Sequence, residues 1–313
     1  METVAVVLRQ PEQIELNRLA LTAPTVDDVI VDIDWSGVST GTERLLWSGR
    51  MPPFPGMGYP LVPGYESVGR IVEAGSATDL HAGQRVFVPG AKCFGEVRGL
   101  FGASASRLVV PAKRVVPLEQ NLGERGILLA LAATAYHAIA ARDASAPDCI
   151  VGHGVLGRLL ARISIAIRNE PPTVWEKNPV RSGGAAGYGV IDPEHDSRRD
   201  YKSIYDVSGD ASLLDSLIGR IAPGGEIVLA GFYSDRLSFA FPPAFMREAR
   251  LRIAAEWQPS DLVAITALID SGRLSLDGLI THHHAAQDAP NAYRTAFEDS
   301  ACLKMVLNWS SLS

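Results

Sequence analysis

The run Gly152-His153-Gly154-Val155-Leu156-Gly157 lies between a short apolar segment, Cys149-Ile150-Val151, and a stretch where Leu156, Leu159, Leu160, Ile163 and Ile167 recur at helical spacing. Glycine at the first position allows a tight turn, at the second lets a pyrophosphate approach the backbone, and at the third lets helix and strand pack closely. Free N–H groups and the dipole at the helix start favour the anion. A second apolar segment, Thr173-Val174-Trp175, ends in Glu176, nineteen positions beyond Gly157. An acid at that place accepts hydrogen bonds from the adenosine ribose hydroxyls and repels a 2′-phosphate, so the pattern predicts NAD in preference to NADP. Taken alone, Glu176 reads by default as a solvated surface acid; the glycine fingerprint upstream favours the ribose role, and Lys177 beside it weighs slightly against the preference for NAD. The expected cofactor contacts are Gly152, His153, Gly154, Val155, Leu156, Gly157, Glu176, Lys177 and Ser208, the last just past an apolar run at 204–207.

The elements that must hold this turn are visible around it. Further strands are predicted at 190–192, 204–207, 227–230 and 251–255, and Leu213, Leu214, Leu217, Ile218 and Ile221 form a helical pattern between two of them. Strand, glycine turn and helix in this order specify a doubly wound parallel sheet. Only residues 193 to 202 join the third strand to the fourth. In the order 3-2-1-4-5-6 that link crosses about 14 Å of sheet, at roughly 4.8 Å per strand, and returns down a strand of about 17–20 Å. Ten extended residues reach about 33 Å, which leaves no room for a full helix. The fold is therefore expected to be trimmed there, with one sheet face partly uncovered or covered by a partner subunit.

Residues 1–120 have a different texture. Val29, Val31, Ile33 and Trp35 alternate with Ile30, Asp32, Asp34 and Ser36, and β-like runs follow at Ser67–Ala74, 84–88 and 106–110, separated by Gly and Pro turn signals. A small, mostly antiparallel barrel is expected. Between Arg44 and Tyr65, Trp47, Met51, Phe54, Met57 and Tyr59 are interleaved with prolines and glycines that forbid a long helix. These side chains either pack on their own domain or form a wall for a flat apolar ligand. Toward the end of the chain, helices are expected at 261–270 and 289–297 and a strand at 304–309. The tail is assigned to the first domain, giving 1–120 with 257–313, and 121–256 as the inserted nucleotide-binding domain.

Composition narrows the function classes. The 313 residues carry 29 basic and 35 acidic side chains, a net charge of −6 with no basic block, which argues against a nucleic-acid partner. The three cysteines, Cys93, Cys149 and Cys302, are scattered and odd in number, so neither a disulfide framework nor a tetracysteine zinc lobe is expected. The longest apolar stretch, 126–141, is short and interrupted by Tyr136 and His137, and the opening Met1-Glu2-Thr3-Val4 has no signal-peptide pattern. A soluble cytoplasmic protein without a transmembrane segment is expected. His282-His283-His284 reads as a strand or turn, because three adjacent residues cannot all face one ion in regular structure.

Three segments carry a family resemblance. Gly37-Val38-Ser39-Thr40-Gly41-Thr42-Glu43 is similar to a G-I-C-x-T-D turn, Pro63-Gly64-Tyr65-Glu66-Ser67-Val68-Gly69 to P-G-H-E-x-x-G, and Thr134-Ala135-Tyr136-His137-Ala138 to T-A-Y-H-A. Together they resemble the medium-chain dehydrogenase/reductase superfamily, across nearly the whole chain. The resemblance implies a GroES-like β-barrel with a Rossmann domain, a possible homodimer through the edge of the nucleotide-domain sheet, and Thr134 facing the nicotinamide. Zinc-dependent members ligate their metal through the Cys and His of the first two segments. Ser39 and Tyr65 stand there, neither a competent zinc ligand at neutral pH, so a zinc-free member is implied and no metal is expected.

A closer likeness, in residues 63–75 and 87–102 and in the short nucleotide domain, is to the branch of that superfamily that oxidises the C3 1-hydroxyethyl group of a bacteriochlorophyllide to acetyl, with NAD, in bacteriochlorophyll biosynthesis. It implies a tetrapyrrole substrate, for which Trp47, Met51, Phe54, Met57 and Tyr59 would supply the apolar wall. Arg44, Arg50 or Arg98 would meet a propionate, or be plain surface charges. Without zinc, Tyr65 or Glu66, with Ser39 and Thr42 nearby, is expected to take the hydroxyl proton. Tyr65 would need a lowered pKa and Glu66 a raised one, and an acid at position 66 also reads as structural, paired with a cation. Two other functions remain open: a zinc-free quinone or enone reductase, and a non-catalytic NAD- and pigment-binding protein.

Overall fold

A computed structural model of the chain describes every residue except Phe54, Arg142, Asp143 and Ser313. The chain divides into two compact units, Met1–Ala130 with Leu279–Ser313, and Leu131–Gly278. The segment 257–278, assigned from sequence to the first domain, thus groups with the second unit. Local bonds account for this: Asp261 Oδ2 lies 2.8 Å from His137 Nδ1, and Arg162 reaches the carbonyls of Ser275 and Asp277 at 2.8 and 2.9 Å.

The first unit is built on two sheets. Asp28–Val38 is central to the larger one, pairing antiparallel with Ser67–Ala74, Arg107–Pro111 and Met305–Asn308. Val29, Val31 and Ile33 point into a core with Val86, Val88, Leu108 and Trp309, but the alternation is broken: Ile30 and Ser36 are buried too and Trp35 is half-buried, with register shifts between Ile30 and Val31 and between Ile33 and Trp35. The other sheet orders Gln13–Ala20, Glu2–Gln10, Leu61–Val62 and Arg98–Gly99. The two long strands there form a hairpin closed by the turn Pro11-Glu12. His282–Ala285 is a strand, paired parallel with Met305–Asn308.

In the second unit six parallel strands run in the order Gly189–Ile191, Thr173–Trp175, Cys149–Val151, Tyr201–Asp206, Ile221–Leu229, Arg250–Ile253, which is 3-2-1-4-5-6. The helix Val155–Arg168 follows the first strand and Leu214–Ile218 the fourth. Ile221, read as the end of that helical pattern, instead opens the fifth strand. As the chain length required, the third-to-fourth link holds only a 3-10 turn, Pro193–His195. The second-to-third link is trimmed as well, with one 3-10 turn at Pro179–Arg181.

Side-chain bonds replace the missing helices. Buried Asp196 accepts from Trp175 Nε1 at 2.7 Å and from the Tyr201 hydroxyl, while Arg220 donates to the Pro193 carbonyl at 3.0 Å and lies over the Trp175 ring. On the other link, buried Arg158 donates to the carbonyls of His153, Arg181 and Gly183. Such bonds satisfy carbonyls that a helix would have paired internally.

Candidate active site

The glycine turn of the second unit has the geometry its spacing predicts. Gly152 adopts φ +106°, a conformation that L side chains rarely take. A Cβ on Gly157 would sit 1.9 Å from the Gly152 carbonyl oxygen, so helix and strand can approach only because that side chain is absent. A Cβ on Gly154 would meet nothing within 4 Å. The space over the start of a 14-residue helix is therefore open where a pyrophosphate would lie.

The residues expected around that turn are together. Glu176 ends the second strand; its Oε2 accepts the His153 N–H at 3.1 Å and its Oε1 the Asn178 N–H at 2.8 Å. Lys177 beside it is exposed, Val155 is buried and Leu156 half-buried. Ser208 is exposed just past the fourth strand, its N–H on Asp206 Oδ1 at 2.9 Å. His153 turns inward: Nδ1 lies 2.7 Å from the Arg181 carbonyl and Nε2 2.8 Å from the Tyr188 hydroxyl. A carbonyl only accepts, so Nδ1 carries the proton and Nε2 takes the Tyr188 O–H. Burial lowers the pKa of this imidazole and keeps it neutral. His153 thus ties the turn to its surroundings, through its backbone N–H to Glu176 and its side chain to the loop after the second strand. Thr134 is half-buried on the helix Leu129–Ala140 of the same unit.

The second group of predicted residues lies in the first unit. Ser39 sits in the turn before the short helix Thr42–Trp47, and its Oγ accepts the Thr42 N–H at 3.3 Å and the Tyr65 O–H at 2.8 Å. Tyr65 is half-buried, edge-on to exposed Phe101 at 5.5 Å between ring centroids. Burial and the neighbouring Glu66 push its phenol above the ordinary tyrosine range, against the pull of bonds from Ser39 and Thr42. The lowered pKa that a phenolate base needs is therefore not what this environment gives; Tyr65 is a neutral hydrogen-bonding group. Glu66 is paired with a cation: Lys304 Nζ lies 2.7 Å from Oε2, with both side chains at most 2% exposed. Its Oε1 is buried without a partner among the described residues. Burial raises the Glu66 pKa, and Lys304 opposes that rise.

Beneath Ser39 lies a third buried ionisable group that the sequence reading passed over. Glu43 Oε2 accepts the Ser39 N–H, and the Tyr293 O–H donates to Oε1 at 3.1 Å. Desolvation pushes this carboxyl up to about 8. Ser104 Oγ stands 3.4 Å from the same Tyr293 hydroxyl. The motif containing Glu43 was visible in sequence, but nothing local announced its partner 250 residues away.

Of the large side chains described in the loop 47–59, Met51 is buried and Trp47, Met57 and Tyr59 are half-buried. Met51, with Trp47, Met57 and Tyr59 against it, packs on Leu8, Leu46, Leu61 and Leu100, and the Tyr59 hydroxyl bonds the Leu46 carbonyl. The loop thus packs on its own domain through Met51, while the half-buried side chains keep part of their surface outward. Phe54 lies outside the described residues. Of the arginines, Arg98 is exposed and its Nη1 lies 3.4 Å from the Tyr59 carbonyl. Among the described residues no His, Cys, Asp or Glu cluster could hold a metal ion, and no helix is long and apolar enough to cross a membrane. The histidines of 282–284 bond separately to Asp299, Glu124 and Asp288.

Comparison with known proteins places these features. Residues 25–120 match the alcohol dehydrogenase GroES-like domain. Two curated relatives, from Rhodobacter capsulatus and Cereibacter sphaeroides, are 60% and 58% identical, each alignment covering 99% of both chains; both are named 2-desacetyl-2-hydroxyethyl bacteriochlorophyllide A dehydrogenase. Among solved structures, acetophenone reductase from Geotrichum candidum, in complex with NAD, superposes with a TM-score of 0.83 at 17% identity, over 98% of this chain and 97% of that one. The last likeness is one of fold; the first two, running end to end at high identity, make the chain a member of the bacteriochlorophyllide a dehydrogenase family, within the medium-chain dehydrogenase/reductase superfamily.

Proposed function

We propose that this protein oxidises the C3 1-hydroxyethyl group of a bacteriochlorophyllide to an acetyl group, with NAD as hydride acceptor and without zinc. The observation that carries the reading is the end-to-end identity to the two relatives of that name. The open cradle at Gly152, Gly154 and Gly157 fits a dinucleotide, with Val155, Leu156 and Ser208 around it and Thr134 toward the nicotinamide. When bound, the nicotinamide accepts the hydride. Glu176 holds the ribose hydroxyls and disfavours a 2′-phosphate, with exposed Lys177 tempering that preference. The oxygen donors Ser39 and Tyr65 do not suit zinc, which fits proton transfer through side chains.

The alcohol loses a hydride and a proton, and this chain handles the proton. Tyr65 already donates to Ser39 Oγ, so a lone pair on its phenol oxygen is left to accept the alcohol proton while its own passes to Ser39. Ser39 in turn gives its own hydroxyl proton to a water molecule, so each residue ends as it began and one proton is released per turnover. Thr42 holds Ser39 Oγ in place through its N–H. Glu66, tied to Lys304, contributes its field on Tyr65. Exposed Phe101 and the outer edges of Trp47, Met57 and Tyr59 offer the macrocycle an apolar face, with Arg98 within reach of a propionate.

The test mixes the protein, NAD and 3-(1-hydroxyethyl) bacteriochlorophyllide. A red-shifted pigment band should appear with an equal amount of NADH, because the new carbonyl conjugates with the ring. Absence of both in either direction of reaction would sink this reading. Turnover only of enones with NADPH would mark a reductase, and tight binding without turnover a carrier. We also infer a homodimer through the open edge strand Arg250–Ile253, where Phe241, Phe245, Met246 and Ile253 are at least 66% exposed. Sedimentation of the wild type against Ile253→Lys checks it: an unchanged species in the variant counts against that edge.

A further inference from the structure

The buried polar cluster of the first unit does not balance its charge. Glu43, Glu66 and Lys304 are each at most 1% exposed, and two carboxylates with one ammonium leave a surplus negative charge in a site without solvent. A buried cluster of this kind relieves the surplus by holding one proton. Glu66 has the ammonium at 2.7 Å, so its carboxylate is the one kept charged, and the proton falls to Glu43. Glu43 is also the carboxyl tied to the Tyr65–Ser39 pair, through the Ser39 N–H. The neighbouring hydroxyls can follow its state. When Glu43 is charged it accepts from Tyr293; when protonated it donates to the Tyr293 oxygen, and Tyr293 then donates to Ser104.

We propose that Glu43 is a positioning residue for the proton relay, its ionised carboxylate anchoring the Ser39 backbone and its negative charge making the Tyr65–Ser39 pair a better proton acceptor. The inference rests on the relay reading above. Charged Glu43 raises the proton affinity of Tyr65, whereas the neutral acid gives that up and bonds the Ser39 N–H more weakly. Oxidation should therefore speed up as pH rises through the Glu43 transition, which burial places at about 8. The groups facing Glu43 that bear on this transition are the Ser39 N–H, Lys304 and the Tyr293 hydroxyl, which lower it, and Glu66, which raises it, with Tyr65 on the relay side.

The experiment measures kcat/KM for alcohol oxidation against pH in the wild type, Glu43→Gln and Tyr293→Phe, with an infrared titration of the buried carboxylic-acid C=O band. In the wild type the rate should rise along a limb whose midpoint matches the loss of that band. Glu43→Gln, neutral at all pH, should lose the limb and the band and stay about tenfold below the wild-type plateau, the equivalent of one pKa unit of proton affinity in the relay. Tyr293→Phe keeps the fold's shape but removes a donor to the carboxylate, so the limb should move up by about half a unit to one unit. A limb that persists unmoved in Glu43→Gln overturns the proposal, as does an unmoved limb in Tyr293→Phe should the first variant fail to fold. Tyr65→Phe and Ser39→Ala separate the two failures. If both keep wild-type rates, the relay itself is wrong; if both are slow while the limb ignores Glu43, only the present inference is.

Discussion

Replacing Lys304 by Met removes an ammonium from a site where both partners are nearly inaccessible, while keeping most of the stem volume. At 2.7 Å and an effective dielectric of about 20, the direct attraction to Glu66 is about 6 kcal/mol. Desolvation of the two ions offsets much of this in the intact pair, so the pair's net worth is small. Removing one partner leaves the other desolvated and unpaired, and costs about 3–5 kcal/mol. Glu66 has little else to turn to, since its Oε1 has no partner among the described residues. It would respond by taking up a proton.

That response gives the loss a pH signature. Lys304 is the group that holds the Glu66 carboxyl down against burial, so without it the folded-state pKa climbs further above the ordinary 4.5. Where the unfolded chain is ionised and the folded variant is protonated, stability falls by up to about 1.4 kcal/mol per pH unit. The gap between variant and wild type should open once the pH passes the wild-type Glu66 transition and widen until the variant's own transition is reached. Glu43 adds to this, because Lys304 lowers its pKa too. Denaturant unfolding of both proteins from about pH 5 to about pH 9 reads the effect, and a Glu66→Gln/Lys304→Met double variant should recover most of the loss. A deficit under about 1 kcal/mol that stays flat with pH would refute the reasoning, since that is how a solvent-screened pair behaves.

Three further outcomes follow from particular contacts. Gly157→Ala places a methyl 1.9 Å from the Gly152 carbonyl oxygen, so calorimetry should show NAD binding weakened by about a hundredfold or more, the turn having to open. Asp196→Ala orphans the Trp175 indole N–H and the Tyr201 hydroxyl, at about 1–3 kcal/mol for each buried donor left unpaired, read as a lowered unfolding midpoint. His153 is held neutral when folded and titrates near 6.5 when unfolded, so below that pH the unfolded chain binds a proton that the folded one refuses. Stability should drop there, and His153→Gln should flatten that part of the profile.

The parallel sheet was legible because its signals are local. Short apolar runs, glycines at fixed offsets and an acid nineteen positions on each need only their neighbours in sequence, and a ten-residue link is too short for a helix by length alone. The same counting applied to 177–188 would have found the second trimmed crossover, but those residues, rich in Gly and polar groups, resemble an ordinary loop. Their order comes from Arg158, a residue that reads as one more cation on an amphipathic helix until its carbonyl partners are known. The loop 47–59 was legible as irregular and apolar, while the direction its side chains face depends on Leu8 and Leu100, far off in sequence.

The candidate proton site divides in the same way. Ser39 and Tyr65 stood out because a motif supplies the expected residue types, and oxygen replaces both a thiolate and an imidazole. The consequence of that replacement for charge is set elsewhere in the chain. A dication bound against this turn would give the acids nearby a strong positive partner. Lys304, joined to Glu66 across 238 residues, is the buried cation beside these acids among the described residues, and a single ammonium cannot neutralise Glu43 as well. Burial, with one ammonium for two acids, thus leaves the Glu43 carboxyl above the ordinary range, desolvation being the larger cause. Restoring a second positive charge close to Glu43 should bring its carboxyl down toward the ordinary range, whereas removing Lys304 should send it further up.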